Sequence, residues 1–363
     1  MAARPASERL EPERRRMVPV DAGPAPARAH ARRRTRVTRG LVFGKFMPLH
    51  RGHQRLIERA LADVDELTVA VYDSAPPGSY APMPLERRTR WLRDLYPEIG
   101  AIVPMEDPLR DDPRRAVDRA SAGVYADQLR PLGPFGRVYS GDERYAAFAA
   151  LLGAEHVVVE PIPISGTTIR EDPYEHRSWL EPRVYASLVE KVVFVGTEST
   201  GKTTLARTLA ERFDTEWAHE YGRELWVERD GQLSFSDYLH IGQTQYEREE
   251  SLRVDARGFV FCDTNAWTTL HWSLRAYGCA DARLWELAEA AMGDYRWFLC
   301  LDDFPWEQDG WREMAGGEAH AFQLRQQADL DARGIAYITL DGPLERRVDE
   351  VVNALAPGLT SHV

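Results

Sequence analysis

Apolar residues recur along this chain in two alternating spacings, beginning near residue 39. Short, continuous apolar runs such as 39–44, which closes on a glycine, predict buried β-strands. Longer stretches such as 51–62 carry apolar residues three and four positions apart, which predicts helices with one buried face. Because strands that alternate with helices form parallel sheets with crossover helices, the predicted fold class is α/β.

The predicted elements fall into two series. The first has strands at 39–44, 67–72, 101–105, 137–139 and 156–160, and helices at 51–62, 85–95, 114–129 and 145–152. The second has strands at 191–195, 215–218, 258–262, 297–301 and 336–340, and helices at 203–213, 235–253, 268–277, 282–292, 319–333 and 344–355. The stretch 174–190 is predicted to be helical and to join the series without a flexible linker. We therefore expect two parallel-sheet domains, 39–188 and 189–363.

Composition is compatible with two globular domains. The chain has 363 residues, of which 44% are hydrophobic and 28% charged, enough apolar material for two cores. The three cysteines, Cys262, Cys279 and Cys300, form neither a metal-ligand nor a disulfide pattern, so reduced thiols in a cytoplasmic protein are expected. No apolar run is long enough to predict a membrane span.

The charge distribution sets the N-terminal segment apart. The formal net charge is −11, which argues against non-specific nucleic-acid binding. The first 39 residues, however, hold eleven arginines and only four acidic residues, and show no apolar periodicity. This composition predicts a disordered tail at 1–38. A nucleic-acid arm, a transit peptide and a start codon misplaced upstream of Met17 or a later residue are the alternatives.

The second series contains a phosphate-binding loop. Residues 196–203 match G-x-x-x-x-G-K-[ST] between a β-branched strand and an amphipathic helix. Backbone amides of such a loop surround phosphate oxygens, and the helix N-terminus adds partial positive charge. Lys202 is expected to neutralise the β- and γ-phosphates of ATP, and Thr203 to ligate Mg²⁺. The other residues expected at ATP are Gly196, Glu198, Ser199, Thr200, Gly201 and Thr204.

Three kinds of side chain would complete a phosphoryl-transfer site. Asp263, at the end of a strand, is the candidate second Mg²⁺ ligand and the first choice of base; capping the next helix is its alternative role. Glu220 and Arg223 follow the second strand of the series, where an acceptor would bind. Arg312, in the loop 302–312, is the candidate cation for the transferring phosphoryl group, or belongs to a plain surface loop.

The first series contains G-x-F-x-P-x-H-x-G-H at residues 44–53, between a strand and a helix. Gly44 allows close backbone approach to phosphate, and His50 and His53 would face one helix N-terminus. Both imidazoles could donate hydrogen bonds to α- and β-phosphate oxygens as pyrophosphate leaves. Catalysis would rest on positioning and electrostatics, with Mg²⁺, since no serine or cysteine is placed to form a covalent intermediate.

A second phosphate-binding helix start is predicted at residues 164–170, ISGTTIR. Ser165 and Thr167 offer hydroxyl groups there, exposed amides open the helix, and Arg170 adds a cation. Alone this segment is only suggestive, but the histidine motif upstream makes it specific. Together they predict a nucleotide site in the first domain.

The paired signatures HxGH and ISxTxxR resemble the nucleotidyltransferase superfamily. An HxGH domain followed directly by a P-loop kinase resembles the bifunctional nicotinamide-nucleotide adenylyltransferase/ribosylnicotinamide kinase family. The likeness covers about residues 40–355. Its matching runs are GKFMPLHRGH, LERRTRWLRDLYP, ISGTTIR, VGTESTGKTTLA, HEYGRE, CDTNAWTT and PWEQDGWRE.

The resemblance implies an HxGH Rossmann-like domain that makes NAD and pyrophosphate from nicotinamide mononucleotide and ATP. It implies that the kinase first makes the mononucleotide from nicotinamide riboside and ATP, with Mg²⁺ as cofactor. These small molecules are the expected partners, together with a possible second copy of the chain. The resemblance also assigns site roles: Gly44, Lys45 and Phe46 at ATP, Trp91 and Arg93 at the nicotinamide nucleotide, and Asn265 and Trp267 at the riboside. Trp91 could equally be a core residue.

Some features depart from the family pattern. Some members begin with a helix-turn-helix repressor domain, whereas only the arginine-rich tail precedes the first strand here, so transcriptional repression is not expected. The loop 161–163 is short, and 140–145 only loosely resembles the usual Ser-Glu-x-Tyr-Gly pattern, which bears on nucleotide preference. Two alternatives stay open: a fusion enzyme with other acceptors, such as phosphopantetheine and another nucleoside, and a nucleotide-sensing regulator.

Overall fold

The structure is a computed structural model that describes residues 37–73, 83–109, 119–303 and 317–355. The first half contains β1 (Arg39–Gly44), α1 (Arg51–Asp63), β2 (Glu66–Asp73), α2 (Leu85–Leu95), β3 (Ala101–Glu106), α3 (Arg119–Leu129), β4 (Arg137–Ser140), α4 (Ala146–Leu151), β5 (Glu155–Val158), α5 (Gly166–Glu171) and α6 (Pro182–Ala186). The second half contains β6 (Glu190–Val195), α7 (Lys202–Phe213), β7 (Glu216–Ala218), α8 (Tyr221–Glu228), α9 (Phe235–Leu252), β8 (Phe259–Cys262), α10 (Ala266–Tyr277), α11 (Ala282–Ala291), β9 (Tyr295–Cys300), α12 (Gly317–Ala332), β10 (Tyr337–Leu340) and α13 (Leu344–Leu355).

Within the described ranges the strands form two five-stranded sheets, and every strand pair is parallel. Their orders are β3-β2-β1-β4-β5 and β10-β9-β6-β8-β7. In each sheet, two later strands lie on either side of the strand that precedes a phosphate motif, β1 or β6. Ligands of open parallel sheets bind at such reversal points, beyond the carboxyl ends of the strands. The predicted α/β fold with two parallel sheets is confirmed.

The second sheet is apolar on both faces because helices cover both. Val193 and Val195 of β6 pack into one core cluster, while Val192 and Phe194 pack into another. The Phe194 ring lies 6.2 Å from that of Phe261 on β8, measured between centroids. A strand buried on both faces loses the alternation of polar and apolar residues, which explains its continuous apolar run.

The segment between the sheets differs from the prediction. A continuous helix over 174–190 was wrong, because the chain makes only a 3₁₀ turn at Arg177–Trp179 and the short helix α6. Leu180 between them is extended and forms an antiparallel bridge with His50. Pro182 then starts α6, capped by the Glu181 carboxylate. The other predicted elements lie within about two residues of their predicted ends, a normal boundary uncertainty. The predicted start of the helix at 114–129 lies outside the described residues.

Hydrogen bonds tie the two halves together at this junction. The Trp91 indole on α2 donates to Ser187 Oγ at 2.9 Å, and the Tyr185 hydroxyl donates to the carbonyl of Ala256. Arg253, the C-cap residue of α9, donates to the carbonyl of Val189 at 2.8 Å. Residues 37–363 accordingly form one compact unit. None of the helices described has the length and apolarity required to cross a bilayer. The tail predicted at 1–38 lies outside the described residues, apart from its last two.

A buried charge cluster of Lys191, Glu249 and Glu250 connects β6 of the second sheet to α9. Lys191 on β6 is fully buried, and its ammonium group lies 3.4 Å from Glu249 Oε2 and 2.9 Å from Glu250 Oε1. Burial opposes the charge of Lys191, but the two carboxylates raise its pKa. Burial raises the pKa of Glu249 to about 7, although Lys191 and the Tyr295 hydroxyl act in the opposite direction. The cluster is stable only while its charges remain paired.

We expect Lys191→Met to lower the free energy of unfolding by about 3 to 5 kcal/mol, because it leaves Glu249 buried without its cation. The matched control is Arg59→Ala, which removes an exposed ion pair with Asp63 one turn away on α1. That change should cost less than about 1 kcal/mol. Urea unfolding followed by tryptophan fluorescence measures both. Equal effects of the two substitutions would contradict a stabilising role for the buried cluster.

Candidate active sites

The loop after β6 has the backbone conformation that its glycines predict. Gly196 has φ of +133° and Gly201 has φ of +79°, both in the region that favours glycine. A Cβ atom on Gly196 would lie only 2.5 Å from the carbonyl oxygen of Cys300 on β9. The loop therefore passes so close to the neighbouring strand that no other residue fits at position 196. It ends directly at the N-terminus of α7.

Contacts from distant elements hold this loop. Lys202 Nζ donates to the carbonyl of Thr197 at 2.6 Å, so its ammonium group lies over the loop where phosphates would bind. Gln323 on α12 accepts from the Thr197 N–H at 3.1 Å. The buried Arg347 of α13 donates to the Thr200 carbonyl at 2.9 Å. The loop conformation thus depends on two C-terminal helices as well as on its own glycines.

Thr203 and Asp263 form a pair suited to a hard divalent cation. The Thr203 hydroxyl donates to Asp263 Oδ2 at 2.6 Å, and Asp263 is 2% exposed. In the described part of the chain, Asp263 Oδ1 is buried without a hydrogen-bond partner. Burial raises the pKa of Asp263, although the nearby Lys202 charge opposes this. A buried carboxylate oxygen with unused acceptor capacity beside a hydroxyl fits Mg²⁺.

A cavity of about 250 Å³ opens in front of the loop. Every residue predicted from the motif to bind ATP lies on its wall: Gly196, Glu198, Ser199, Thr200, Gly201, Lys202, Thr203 and Thr204. Glu220 and Arg223, the predicted acceptor residues, line the same cavity. Burial raises the pKa of Glu220 to about 7, and the Asp263 charge acts in the same direction while Lys202 opposes it. One cavity is thus lined by the phosphate loop and by Glu220 and Arg223, the residues predicted to bind the acceptor.

Aromatic side chains that the sequence did not single out complete this wall. Trp226 of α8, Tyr238 of α9 and Trp272 of α10 all line the cavity. Trp226 lies three residues after Arg223, so both project from one face of α8. From the sequence, this three-residue spacing could have indicated Trp226 as a site residue, but only once α8 is known to border the cavity.

Asp263, Asn265 and Trp267, all predicted for the kinase site, are not among the residues that line this cavity. Asn265 caps α10, with its side chain accepting from the N–H of Thr268 at 3.0 Å. Trp267 is 1% exposed, and its indole donates to Asp329 in the core at 2.8 Å. Their contact with the riboside stays a prediction, whereas the alternative that Asp263 caps the helix was wrong, because Asn265 is the cap. Arg312 lies outside the described residues.

In the first domain, the histidine pair stands at the start of α1. His50 is the N-cap of α1, and its Nδ1 accepts from the Gly52 N–H at 3.1 Å. The His50 and His53 rings stack with centroids 3.8 Å apart. Phe46 is fully buried beneath, its ring centroid 4.8 Å from that of His53. Because Nδ1 of His50 is an acceptor, we assign its proton to Nε2, which is then a donor.

Both imidazoles are neutral in this environment. Burial lowers the pKa of His50 to about 4, and the Arg170 charge acts in the same direction. Burial also holds the pKa of His53 well below its ordinary value, with His50 adding to the effect. Neutral rings retain one N–H donor each without adding fixed charge. They therefore suit hydrogen bonding to phosphate rather than ion pairing.

The ISGTTIR segment packs directly against the histidine loop. Arg170 Nη1 donates to the Met47 carbonyl at 2.5 Å, and Nη2 donates to Thr167 Oγ1 at 2.9 Å. Ser165 caps α5 by accepting from the Thr168 N–H at 3.1 Å. Arg170 thus ties α5 to the loop that leads to His50, although Ser165, Thr167 and Arg170 are not among the residues that line the cavity beside it.

A cavity of about 520 Å³ lies at this edge of the first sheet. The predicted residues on its wall are Gly44, Lys45, His50 and His53. The sequence missed Tyr72, Asp107 and Tyr125, which also line it, with the Tyr125 hydroxyl donating to Asp107 Oδ1 at 2.6 Å. Tyr72 and Asp107 stand at the carboxyl ends of β2 and β3. From the sequence, they could have been predicted only by their position at the carboxyl ends of strands, where parallel sheets bind ligands.

Trp91 and Arg93, predicted at the nicotinamide nucleotide, lie elsewhere. Trp91 is 6% exposed and its indole donates to Ser187 Oγ at the domain junction, which fits its alternative role as a core residue. Arg93 is exposed on the outer face of α2. The arginine of α2 that matters locally is Arg88, which is fully buried and donates to the carbonyls of Lys45 at 2.7 Å and Tyr72 at 2.9 Å. It thereby fixes the backbone of the cavity wall from beneath.

Comparisons with known proteins agree with this arrangement. The family model for the cytidylyltransferase-like fold matches residues 41–172, and the AAA domain model matches residues 191–347. The trifunctional NAD biosynthesis/regulator protein NadR of Salmonella typhimurium is 31% identical over 310 residues, which cover 78% of this chain and 74% of that protein. The NadR protein of Escherichia coli K12 is 29% identical over 334 residues, 85% of this chain and 80% of that protein.

A solved structure extends the likeness to three dimensions. A crystal structure of NadR protein in complex with NR is 25% identical, with a TM-score of 0.54, and the match covers 90% of this chain and 96% of that one. Sequence identity and fold thus agree over both domains and in the same order. This chain belongs to the NadR family, the bifunctional nicotinamide-nucleotide adenylyltransferase/ribosylnicotinamide kinase family whose signatures its sequence carries.

Proposed function

We propose that this chain carries out two ATP-dependent steps of NAD salvage. The second domain phosphorylates nicotinamide riboside to nicotinamide mononucleotide, and the first domain joins that product to AMP from ATP, giving NAD and pyrophosphate. The observation that carries the proposal is the presence of two separate phosphate-binding cavities, each at the reversal point of its own sheet. We assign residues 39–188 to the adenylyltransferase and 189–363 to the kinase.

In the kinase, the loop amides and Lys202 bind the β- and γ-phosphates of ATP. Thr203 and Asp263 would hold Mg²⁺, which when bound neutralises charge on the transferring phosphoryl group. Asp263 is buried behind Thr203, so we assign it to the metal and leave the acceptor wall to Glu220. Glu220 accepts hydrogen bonds from hydroxyls of the riboside, next to Arg223. Positioning and electrostatics then account for transfer, without a covalent intermediate.

The aromatic wall suits the base of this substrate. Nicotinamide riboside carries a planar pyridinium ring with a positive charge. Trp226, Tyr238 and Trp272 supply faces and edges that attract a cation and cover apolar surface. These aromatic faces, with the Glu220 carboxylate in the same cavity, favour the charged pyridinium over a neutral base.

In the adenylyltransferase, His50 and His53 donate to the phosphate oxygens of ATP as the bond to pyrophosphate breaks. The Nε2–H of the neutral His50 ring donates a hydrogen bond to the negative charge that develops on these oxygens. Because the ring is uncharged, it needs no carboxylate partner. Arg170 adds a cation near the same loop. We place both reactions in the cytoplasm, where the free thiols of Cys262, Cys279 and Cys300 remain reduced.

The two sites should be separable by mutation. We expect Lys202→Ala to reduce riboside phosphorylation at least about a hundredfold, because it removes the phosphate cation, and to leave adenylyl transfer to supplied mononucleotide unchanged. His53→Ala should have the opposite pattern. Mass spectrometry of products from nicotinamide riboside, ATP and Mg²⁺ measures both steps. A folded variant that loses both activities would contradict the assignment of two independent sites.

The histidine pair should stay neutral across the physiological range. The pKa of His50 is lowered to about 4, so protonation of its ring in the free protein should occur only well below the ordinary value near 6.5. We expect no chemical-shift titration of the His50 ring between pH 8 and pH 5.5 by NMR. A His50→Gln variant identifies the signal. Titration of His50 near pH 6.5 would refute the neutral-donor mechanism.

A further inference from the structure

Glu220 occupies an unusual place at the start of α8. It is the N-cap residue of that helix, yet its side chain makes no capping hydrogen bond. An N-cap side chain ordinarily turns back to accept from N–H groups of the first turn. Here the carboxylate instead lines the cavity, close to the like charges of Asp263 and Glu198, which destabilise its ionised form. Another part of the fold must therefore hold the backbone that carries Glu220.

Helix α9 holds the peptide groups on both sides of Glu220. Gln245 Oε1 accepts from the N–H of Tyr221 at 2.9 Å, so the first amide of α8 is satisfied without the capping side chain. Arg248 Nη1 donates to the carbonyl of His219 at 3.1 Å. Gln245 and Arg248 are three residues apart and lie on one face of α9. Together they fix the backbone immediately before and after Glu220.

Both α9 residues are themselves fixed. Gln245 is fully buried, and its Nε2 donates to Glu249 Oε1 at 3.4 Å, which sets the orientation of its amide. Glu249 in turn accepts from the Tyr295 hydroxyl at 2.5 Å and pairs with Lys191. On the other side, Arg248 makes two bonds to the Glu224 carboxylate of α8, at 2.7 and 2.9 Å.

We propose that Gln245 is a positioning residue for the kinase reaction, with Arg248 acting from the other side. Gln245 fixes the Tyr221 amide, and this leaves the Glu220 carboxylate facing the acceptor. The Gln245 amide thereby links Glu249 of the buried charge cluster to the backbone beside Glu220. This inference rests on the proposed role of Glu220 toward the riboside.

The test is the steady-state kinetics of Gln245→Leu, a change that keeps volume and removes both hydrogen bonds. We expect the KM for nicotinamide riboside to rise by roughly tenfold or more and kcat to fall, because Glu220 is displaced. The KM for ATP and the rate of adenylyl transfer to supplied mononucleotide should not change. The matched control is Gln243→Leu, an exposed position two residues earlier on α9, which should behave as the unmodified protein.

A double-mutant cycle separates positioning from general destabilisation. In a Glu220→Ala background, Gln245→Leu should add nothing further to the KM for riboside, because its effect passes through Glu220. Arg248→Met, at a partly exposed position, should raise the same KM and keeps the test valid if Gln245→Leu folds poorly. A KM for riboside unchanged in both variants, or effects fully additive with Glu220→Ala, would overturn the inference. Failure of the unmodified protein to phosphorylate riboside would instead contradict the proposed function.

Discussion

A parallel sheet directs the carboxyl ends of its strands, and the N–H groups of the helices that follow, toward one edge. Both sites of this chain depend on that constraint. Later strands lie on both sides of β1 and of β6, which leaves a crevice beyond the carboxyl end of each, beside the N-terminus of the helix that follows. Polyphosphate is the ligand that such an edge favours, because backbone dipoles there carry partial positive charge.

The two domains use this edge with different chemistry. The second domain adds Lys202 and compensates its charge with the nearby carboxylates of Asp263 and Glu220. The first domain adds two stacked neutral imidazoles, with Arg170 bound to the same loop. A phosphoryl group carried from ATP to a hydroxyl requires strong charge neutralisation. Departure of pyrophosphate from an α-phosphorus is assisted by donors that match the charge as it develops.

The sequence predicted what local geometry determines. Gly196 and Gly201 reveal the phosphate loop because the backbone there needs positive φ, and the continuous apolar run of β6 reveals a strand buried on both faces. It indicates less where packing decides which way a helix faces. Trp267 and Trp91 stand near predicted motifs, yet both point into the core. Gln245 and Arg88 could not be predicted, because their partners lie far away along the chain and only the tertiary fold brings them together.

Two successive transfers from ATP fix the isotopic composition of the two phosphates in NAD. If unlabelled nicotinamide riboside is supplied with ATP labelled by one phosphorus isotope at the α position and another at the γ position, NAD should carry both labels in a one-to-one ratio. The γ label enters through the kinase cavity and the α label through the HxGH cavity. NAD that contains only one label, or no NAD at all, would contradict the claim that one chain performs both transfers.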